Sequence, residues 1–278
     1  MQEREGRYGG EKGVSIYWQA WLPGSAPTRT AVIAHGVAEH SGRYARLAQV
    51  LVEQNCAVYA LDHRGHGKSG GTRAFIEKFE YSVADLDQLV TLAAEQQAPA
   101  GKPILIGHSL GGAISLSYAM KHQDKLRGLV LSGPAVQLNP IPMKVRVLAR
   151  LFSMVSPAKP FLPIDGSAVS RDPEEVRKYN QDPLNSRTPI PVRTVTELLD
   201  RLSWLSAGYS VLTLPLLIMH GTADSLALPA GSQRIHELAG SKDKTLKLYE
   251  GYFHEIFNEP PAERTRVFED LKRWVAAH

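Results

Sequence analysis

Pro103-Ile104-Leu105-Ile106-Gly107-His108-Ser109-Leu110-Gly111-Gly112-Ala113 is the stretch whose reading decides the fold. The apolar run 103–106 reads as a buried strand and residues 113–120 have helical composition. Gly107-His108-Ser109-Leu110-Gly111 is therefore a Gly-x-Ser-x-Gly motif set between a strand and a helix. Glycine-flanked serines are common in turns, so the motif gains its meaning from that setting. A strand that turns into a helix within so few residues leaves little space for side chains at the flanks, hence glycine at 107 and 111. The turn lifts Ser109 Oγ out of the top of the sheet, and the amide of Leu110, at the helix N-terminus, points to where an oxyanion would develop.

Outward from this stretch, short apolar runs alternate with helical patterns. Residues 30–34, 57–61, 104–106, 129–131, 216–219 and 246–249 read as strands, and several are continuously apolar, as strands buried on both faces of a parallel sheet must be. Residues 44–54, 83–97, 113–122, 232–238 and 262–277 read as helices. The expected architecture is α/β, a mostly parallel central sheet flanked by helices. The alternation breaks between 135 and 213, a proline-rich stretch with two helical patches and no convincing strand. It reads as an inserted, mainly helical cap over the edge where open α/β sheets bind ligands. The expected division is a core of 1–134 and 214–278 with a cap of 135–213.

A serine hydroxyl has a high pKa and needs a base from a loop at the same sheet edge. In the α/β-hydrolase fold, which the strand-serine-helix turn points to, the chain order is serine, acid, histidine. After Ser109, the strand 216–219 runs into His220-Gly221-Thr222-Ala223-Asp224, and the strand 246–249 into Glu250-Gly251-Tyr252-Phe253-His254. Asp224 is the expected acid and His254 the expected base. Among the ten histidines, His122, His236 and His278 lie on helices or at the terminus, and His35 and His220 read as packing or hydrogen-bonding residues at strand ends. Asp62 precedes the serine in the chain, and Asp172 and Asp182 fall in the cap. A second oxyanion donor should come from the loop after 30–34, where Gly36 lets the backbone approach closely and the amide of Val37 would pair with that of Leu110. Serine at the nucleophile position excludes chemistries that run through a carboxylate there. The histidines show no zinc spacing, so neither metal nor cofactor is expected.

The composition agrees with one large catalytic domain. The 278 residues, 43% hydrophobic and 22% charged, suit a globular protein with a full core. No window nears the ~18 apolar residues of a membrane span, and residues 1–12 lack the apolar centre of a secretory signal. The expected compartment is the cytoplasm. The single cysteine, Cys56, sits in an apparent buried strand and reads as an inert core thiol. A net charge of +4 is spread along the chain without basic runs, which argues against nucleic acid and leaves a weak attraction to anionic membrane surfaces.

His35-Gly36-Val37-Ala38-Glu39-His40-Ser41-Gly42-Arg43-Tyr44, then Asp62-His63-Arg64-Gly65-His66-Gly67-Lys68-Ser69, then Gly107-His108-Ser109-Leu110-Gly111-Gly112 resemble monoacylglycerol lipases, particularly the bacterial and mycobacterial ones. The resemblance extends over nearly the whole chain, including Ser170-Arg171-Asp172-Pro173, Tyr179-Asn180-Gln181-Asp182-Pro183-Leu184 and His254-Glu255-Ile256-Phe257-Asn258-Glu259-Pro260. The Glu-His-Ser-x-Arg-Tyr extension is its specific part, whereas the Asp-x-x-Gly-x-Gly-x-Ser block is shared by many α/β hydrolases. The resemblance implies cleavage of a monoacylglycerol to glycerol and fatty acid without metal, and it puts Glu39 and Arg43 near the leaving alcohol. The plain alternative is that Glu39 and Arg43 form a fold-stabilising ion pair. Two departures bear on the glycerol end: Leu110 where many relatives have methionine, and Phe257 where some have a further histidine.

Within 144–155, Val145, Leu148, Leu151, Phe152 and Val155 fall at helical spacing with Lys144, Arg146 and Arg150 between them. An amphipathic helix is expected, with Leu148, Leu151 and Phe152 lining an acyl tunnel. A second use of such a helix is docking on a lipid surface, which the basic residues favour, and a third is a homodimer contact. Two rival readings of the whole chain are a carboxylesterase or lysophospholipase with another head group, and a non-catalytic binding protein on the same fold.

Overall fold

The computed structural model of the protein describes residues 1–278. Its centre is an eight-stranded sheet formed by β1 (Gln2–Gly9), β2 (Ser15–Leu22), β3 (Arg29–Ala34), β4 (Cys56–Leu61), β5 (Ile104–His108), β6 (Gly128–Ser132), β9 (Leu216–Gly221) and β10 (Lys244–Tyr249), in the order β1-β2-β4-β3-β5-β6-β9-β10. From β4 to β10 every pairing is parallel. The crossovers run through α1 (Ala45–Val52), α2 (Phe79–Gln96), α3 (Ser109–His122) and α7 (Pro229–Leu238), and the terminal α8 (Pro261–Ala277) follows the last strand.

Why these runs become strands is visible in which core each residue enters. Val32 and Ala34 of β3, with Ala57, Tyr59 and Leu61 of β4, join the cluster under α2, α3 and α7. Their neighbours Ala31, Ile33, Cys56, Val58 and Ala60 join the opposite cluster under α1 and α8. A period of two with both faces buried is what makes the runs continuously apolar. The sheet is mostly parallel, flanked by helices on both faces, as the alternation predicts.

The sequence reading misses β1 and β2. Their antiparallel pairing, and that of β2 with β4, adds an N-terminal hairpin to the sheet. Gln-Glu-Arg-Glu-Gly-Arg-Tyr-Gly carries no apolar run because β1 is an exposed edge strand, whose charges discourage further pairing. Gly6 makes room for the Trp18 ring: a Cβ there would stand 2.8 Å from it.

Between β6 and β9 lie α4 (Met143–Val155), α5 (Pro173–Gln181) and α6 (Val192–Gly208), outside the main sheet. The stretch holds three helices where the sequence suggests two, and it contains a small antiparallel ribbon of β7 (Pro160–Leu162) and β8 (Ile190–Pro191), too short and proline-rich to be read as strands. The stretch is fastened to the rest at several points. Leu205 of α6 belongs to the main core. Thr194 accepts from the Ile76 amide and donates to the Ala74 carbonyl, both at 2.8 Å. The Ser186 amide donates to the Ala38 carbonyl, and His40 contacts Asp182 at 2.9 Å. No helix is long and apolar enough to cross a membrane.

Candidate active site

The turn between β5 and α3 holds Ser109 at φ 52°, in the left-handed region that a non-glycine residue occupies only when its surroundings compel it. The flanking glycines are required by space. A Cβ at Gly111 would lie 2.1 Å from the Ala34 carbonyl, and one at Gly107 would lie 2.5 Å from Ser115 Oγ. The helix therefore presses against the end of β3, and Ser109 is pushed out at the sheet's C-terminal edge. Leu110, one residue into α3, has an amide in the first turn, where the helix offers it no carbonyl partner.

Asp224, past the end of β9, and His254, past the end of β10, meet across 30 residues: His254 Nδ1 lies 2.6 Å from Asp224 Oδ2. The other carboxylate oxygen of Asp224 accepts from the amides of Leu226 and Ala227 at 2.8 and 3.0 Å. Burial pushes the Asp224 carboxyl up. The His254 charge and the hydrogen bonds from His220, His254 and the Ala227 amide outweigh burial and hold it well below the usual carboxylate range. For His254, burial pushes the imidazole down, while Asp224, Glu255 and Glu39 push it up and prevail.

The loop after β3 is held by its own polar groups. Glu39 Oε1 accepts from the Gly36 amide at 2.6 Å and from the Tyr44 hydroxyl at 2.8 Å, and Ala38 is held at φ 63°. His35 donates from Nδ1 to the Gly36 carbonyl, and its Nε2 accepts from the His63 amide. A Cβ on Gly36 would stand 3.1 Å from that of Ser109, so glycine here brings this backbone against the serine. Val37 and Leu110 face the same cavity.

That cavity, about 340 Å³, has Ser109, His254, His108, Glu39 and Glu255 at its polar end. Its walls are apolar: Leu138, Ile141, Leu162, Ile164, Ile190, Val195 and Leu198. Leu148, Leu151 and Phe152 are not among them. They lie on the outside of α4, 53%, 55% and 44% exposed, while Ala149 and Ser153 face inward, Ser153 against Thr196 of α6. The expectation that they line the tunnel is corrected: helical spacing tells which residues share a face, not which way the face points, and the small residues pack closely on α6.

Glu39 and Arg43 do pair, at 2.6 Å. Arg43 also donates to both oxygens of Glu255 and lies 4.8 Å from the Tyr179 ring centroid. Glu39 lines the cavity and Arg43 stands behind it. Burial pushes the Glu255 carboxyl up, but Arg43 foremost, then His108 and Asn258, bring it down to about 2. Glu255, His108 and His220 are absent from the sequence-derived set of site residues. His108 and Glu255 adjoin Ser109 and His254 in the chain, which is the signal that could have found them.

A family model described as Serine aminopeptidase, S33 matches residues 25–261. The monoacylglycerol lipase of Mycolicibacterium smegmatis is 38% identical over 275 residues, 99% of this chain and 97% of that protein. The chain belongs to the monoglyceride lipase family of α/β hydrolases. Within the family, the monoglyceride lipase of Homo sapiens is 37% identical over 267 residues, 95% of this chain and 88% of that protein. The crystal structure of the Paleococcus ferrophilus monoacylglycerol lipase superposes with a TM-score of 0.83 at 30% identity, covering 100% of both chains. This family member is thus a serine hydrolase of carboxylic esters.

Proposed function

We propose that the enzyme hydrolyses monoacylglycerols, with Ser109 as nucleophile, His254 as general base and Asp224 as the acid that orients it. The observation that carries the reading is the cavity itself, whose largely apolar lining includes Ser109 and His254 together with His108, Glu39 and Glu255. An acyl chain buries about 0.8 kcal/mol per methylene in such a tunnel, and the polar end suits a small hydroxylated leaving group. The curated relatives at 37–38% identity are lipases of this kind. Glu39 and Glu255 are both engaged by the Arg43 guanidinium, so neither carboxylate at the polar end is free of a partner to receive the α-ammonium of a peptide, which favours esters.

His254 takes the Ser109 proton as Oγ attacks the ester carbonyl, and the amides of Val37 and Leu110 hold the oxyanion. His254 then protonates the departing glycerol oxygen, and water repeats the cycle on the acyl-enzyme. Residues 135–213 serve as a cap over this tunnel, and the outer face of α4 is proposed to rest on lipid surfaces. Val147, Leu148, Leu151, Met154 and Val155 are each at least half exposed, and Lys144 and Arg146 lie beside them.

The test is hydrolysis of monooleoylglycerol beside dioleoylglycerol, a lysophospholipid and a short p-nitrophenyl ester, for the wild type and Ser109→Ala. The reading expects preference for the monoglyceride and a loss of about 10⁶-fold in the variant. Preference for another ester, lost in Ser109→Ala, would keep the triad and replace the head group. Activity surviving in Ser109→Ala would overturn the triad.

A further inference from the structure

The acid of the site has a second histidine. His220, at the end of β9, is fully buried, and its Nε2 lies 3.0 Å from Asp224 Oδ2, the same oxygen that His254 Nδ1 approaches at 2.6 Å from the other side. Nε2 also lies 3.0 Å from the Ala227 carbonyl oxygen. Facing two acceptors, Nε2 must carry the proton. Nδ1, 2.7 Å from the fully buried Ser232 hydroxyl on α7, is then an acceptor of the hydrogen bond that the serine donates. Two lines of donors thus converge on Asp224 Oδ2, Ser232 through His220 on one side and His254 on the other, with His254 reaching the cavity and His220 absent from its lining.

We propose that His220 is a positioning residue for the reaction: it shares the Asp224 Oδ2 lone pairs with His254 and so sets how strongly the acid grips the base, with Ser232 fixing its tautomer. The inference rests on the triad reading. The donor at His220 draws charge from the oxygen that would otherwise serve His254 alone, and it fills an acceptor site through which the carboxylate would otherwise rotate. Removing it frees that charge for the imidazolium and loosens the carboxylate. Both effects reach Ser109 only through His254. The groups facing His254 besides Asp224 are Glu39, Glu255 and His108, with Arg43 paired to both glutamates. None of them touches His220, so the effect is separable from theirs.

The experiment compares kcat/KM against pH on monooleoylglycerol for wild type, His220→Leu, His220→Gln and Ser232→Ala, with Asp224→Asn and Ser109→Ala as references and thermal unfolding for each. His220→Leu should lower kcat about tenfold, the scale of one hydrogen bond to a charged group, with KM little changed, and move the acid limb to higher pH. His220→Gln, whose amide can donate from the same place, should restore both. Ser232→Ala, the milder change, should move the limb in the same direction by less. The low-field proton resonance of the His254 Nδ1–H should shift in His220→Leu and return in His220→Gln. An acid limb that stays in place in both His220→Leu and Ser232→Ala, with activity following thermal stability alone, would reduce His220 to a packing residue. Should Asp224→Asn and Ser109→Ala retain full activity, the triad reading fails. Their loss beside an unmoved His220→Leu profile overturns only the positioning role.

Discussion

Arg43 and Glu255 are joined by two parallel hydrogen bonds of 2.6 Å, Nη1 to Oε1 and Nη2 to Oε2, across 212 residues of chain. The same guanidinium holds Glu39, whose other oxygen holds the Gly36 amide. One buried cation thus ties the loop before α1 to the loop that carries His254. Truncation leaves two buried carboxylates without a counter-charge. Arg43→Met should therefore cost about 3–5 kcal/mol of stability, read as a shift in the urea midpoint, and lower kcat by letting Gly36 and Val37 drift. A variant within about 1 kcal/mol of wild type, the scale of one hydrogen bond, would show that the cluster is open to water.

The pH dependence of activity follows from the Asp224–His254 contact. As the proposed base, His254 must be neutral to act, and its pKa is raised above 6.5 despite burial. The acid limb of kcat/KM is expected above pH 6.5. Removing a negative charge that faces the imidazole lowers its pKa, so Glu255→Gln should move the limb to lower pH. A limb at or below that of free imidazole in the wild type would contradict the geometry.

Stability carries a different pH signature, from histidines that the chemistry does not use. His35, His63 and His66 are packed ring against ring beside the loop after β3, with His35 and His63 centroids 4.5 Å apart. Burial foremost lowers all three, His63 to about 3, and lowers His108 to about 4. Such groups take up protons only on unfolding. Their contribution is complete above the unfolded pKa of about 6.5 and drains as pH falls toward the folded values, by about 1.4 kcal/mol per pH unit for each histidine. His254, with its pKa raised, opposes this with a contribution present below 6.5 and lost as pH rises. Urea midpoints should fall steeply from pH 6.5 to 4.5. In His63→Phe, which fills similar space and removes two ring nitrogens without partners, the slope should drop by about one proton; an unchanged slope would clear His63.

The features legible in the sequence are those encoded locally. Gly107 and Gly111 betray the turn because no Cβ fits there, and a strand followed by a glycine break leads the eye to Asp224 and His254. Features made by distant pairs are silent: nothing near Arg43 announces Glu255, and β1, an edge strand of alternating charges, looks like a loop until Trp18 lies on Gly6. The α4 face misleads for a related reason. Ala149 and Ser153 turn inward because α6 approaches closely, and that approach is decided by residues some 40 positions away.

The tunnel predicts chain-length selection by α6. Leu198 and Val195 line the cavity from α6, and α6 is fixed to the core through Thr194 and Leu205, so the wall cannot easily yield. Leu198→Trp should suppress hydrolysis of oleoyl esters about tenfold or more, since each methylene excluded forfeits about 0.8 kcal/mol, while a short p-nitrophenyl ester is turned over nearly as before. Equal losses on both esters would mean that the wall was distorted and not merely advanced.

The exposed face of α4 leads to the last prediction. Met143, Val147, Leu148, Leu151, Met154 and Val155 together expose far more apolar surface than scattered single residues do. The helix is held to α6 mainly by small residues, and Arg150 pairs with Asp200 at its edge. A face of this kind is covered either by lipid or by a second copy of the chain. With Lys144 and Arg146 beside it, lipid is favoured, and binding should then strengthen on anionic vesicles and weaken with salt. Leu148→Ser/Leu151→Ser/Val155→Ser should reduce sedimentation with anionic vesicles and raise the apparent KM for aggregated monoolein, leaving kcat on a soluble short ester intact, because none of the three lines the cavity. If the triple variant instead converts a dimer to a monomer in light scattering while vesicle binding is unaltered, the face is an interface between copies of the enzyme.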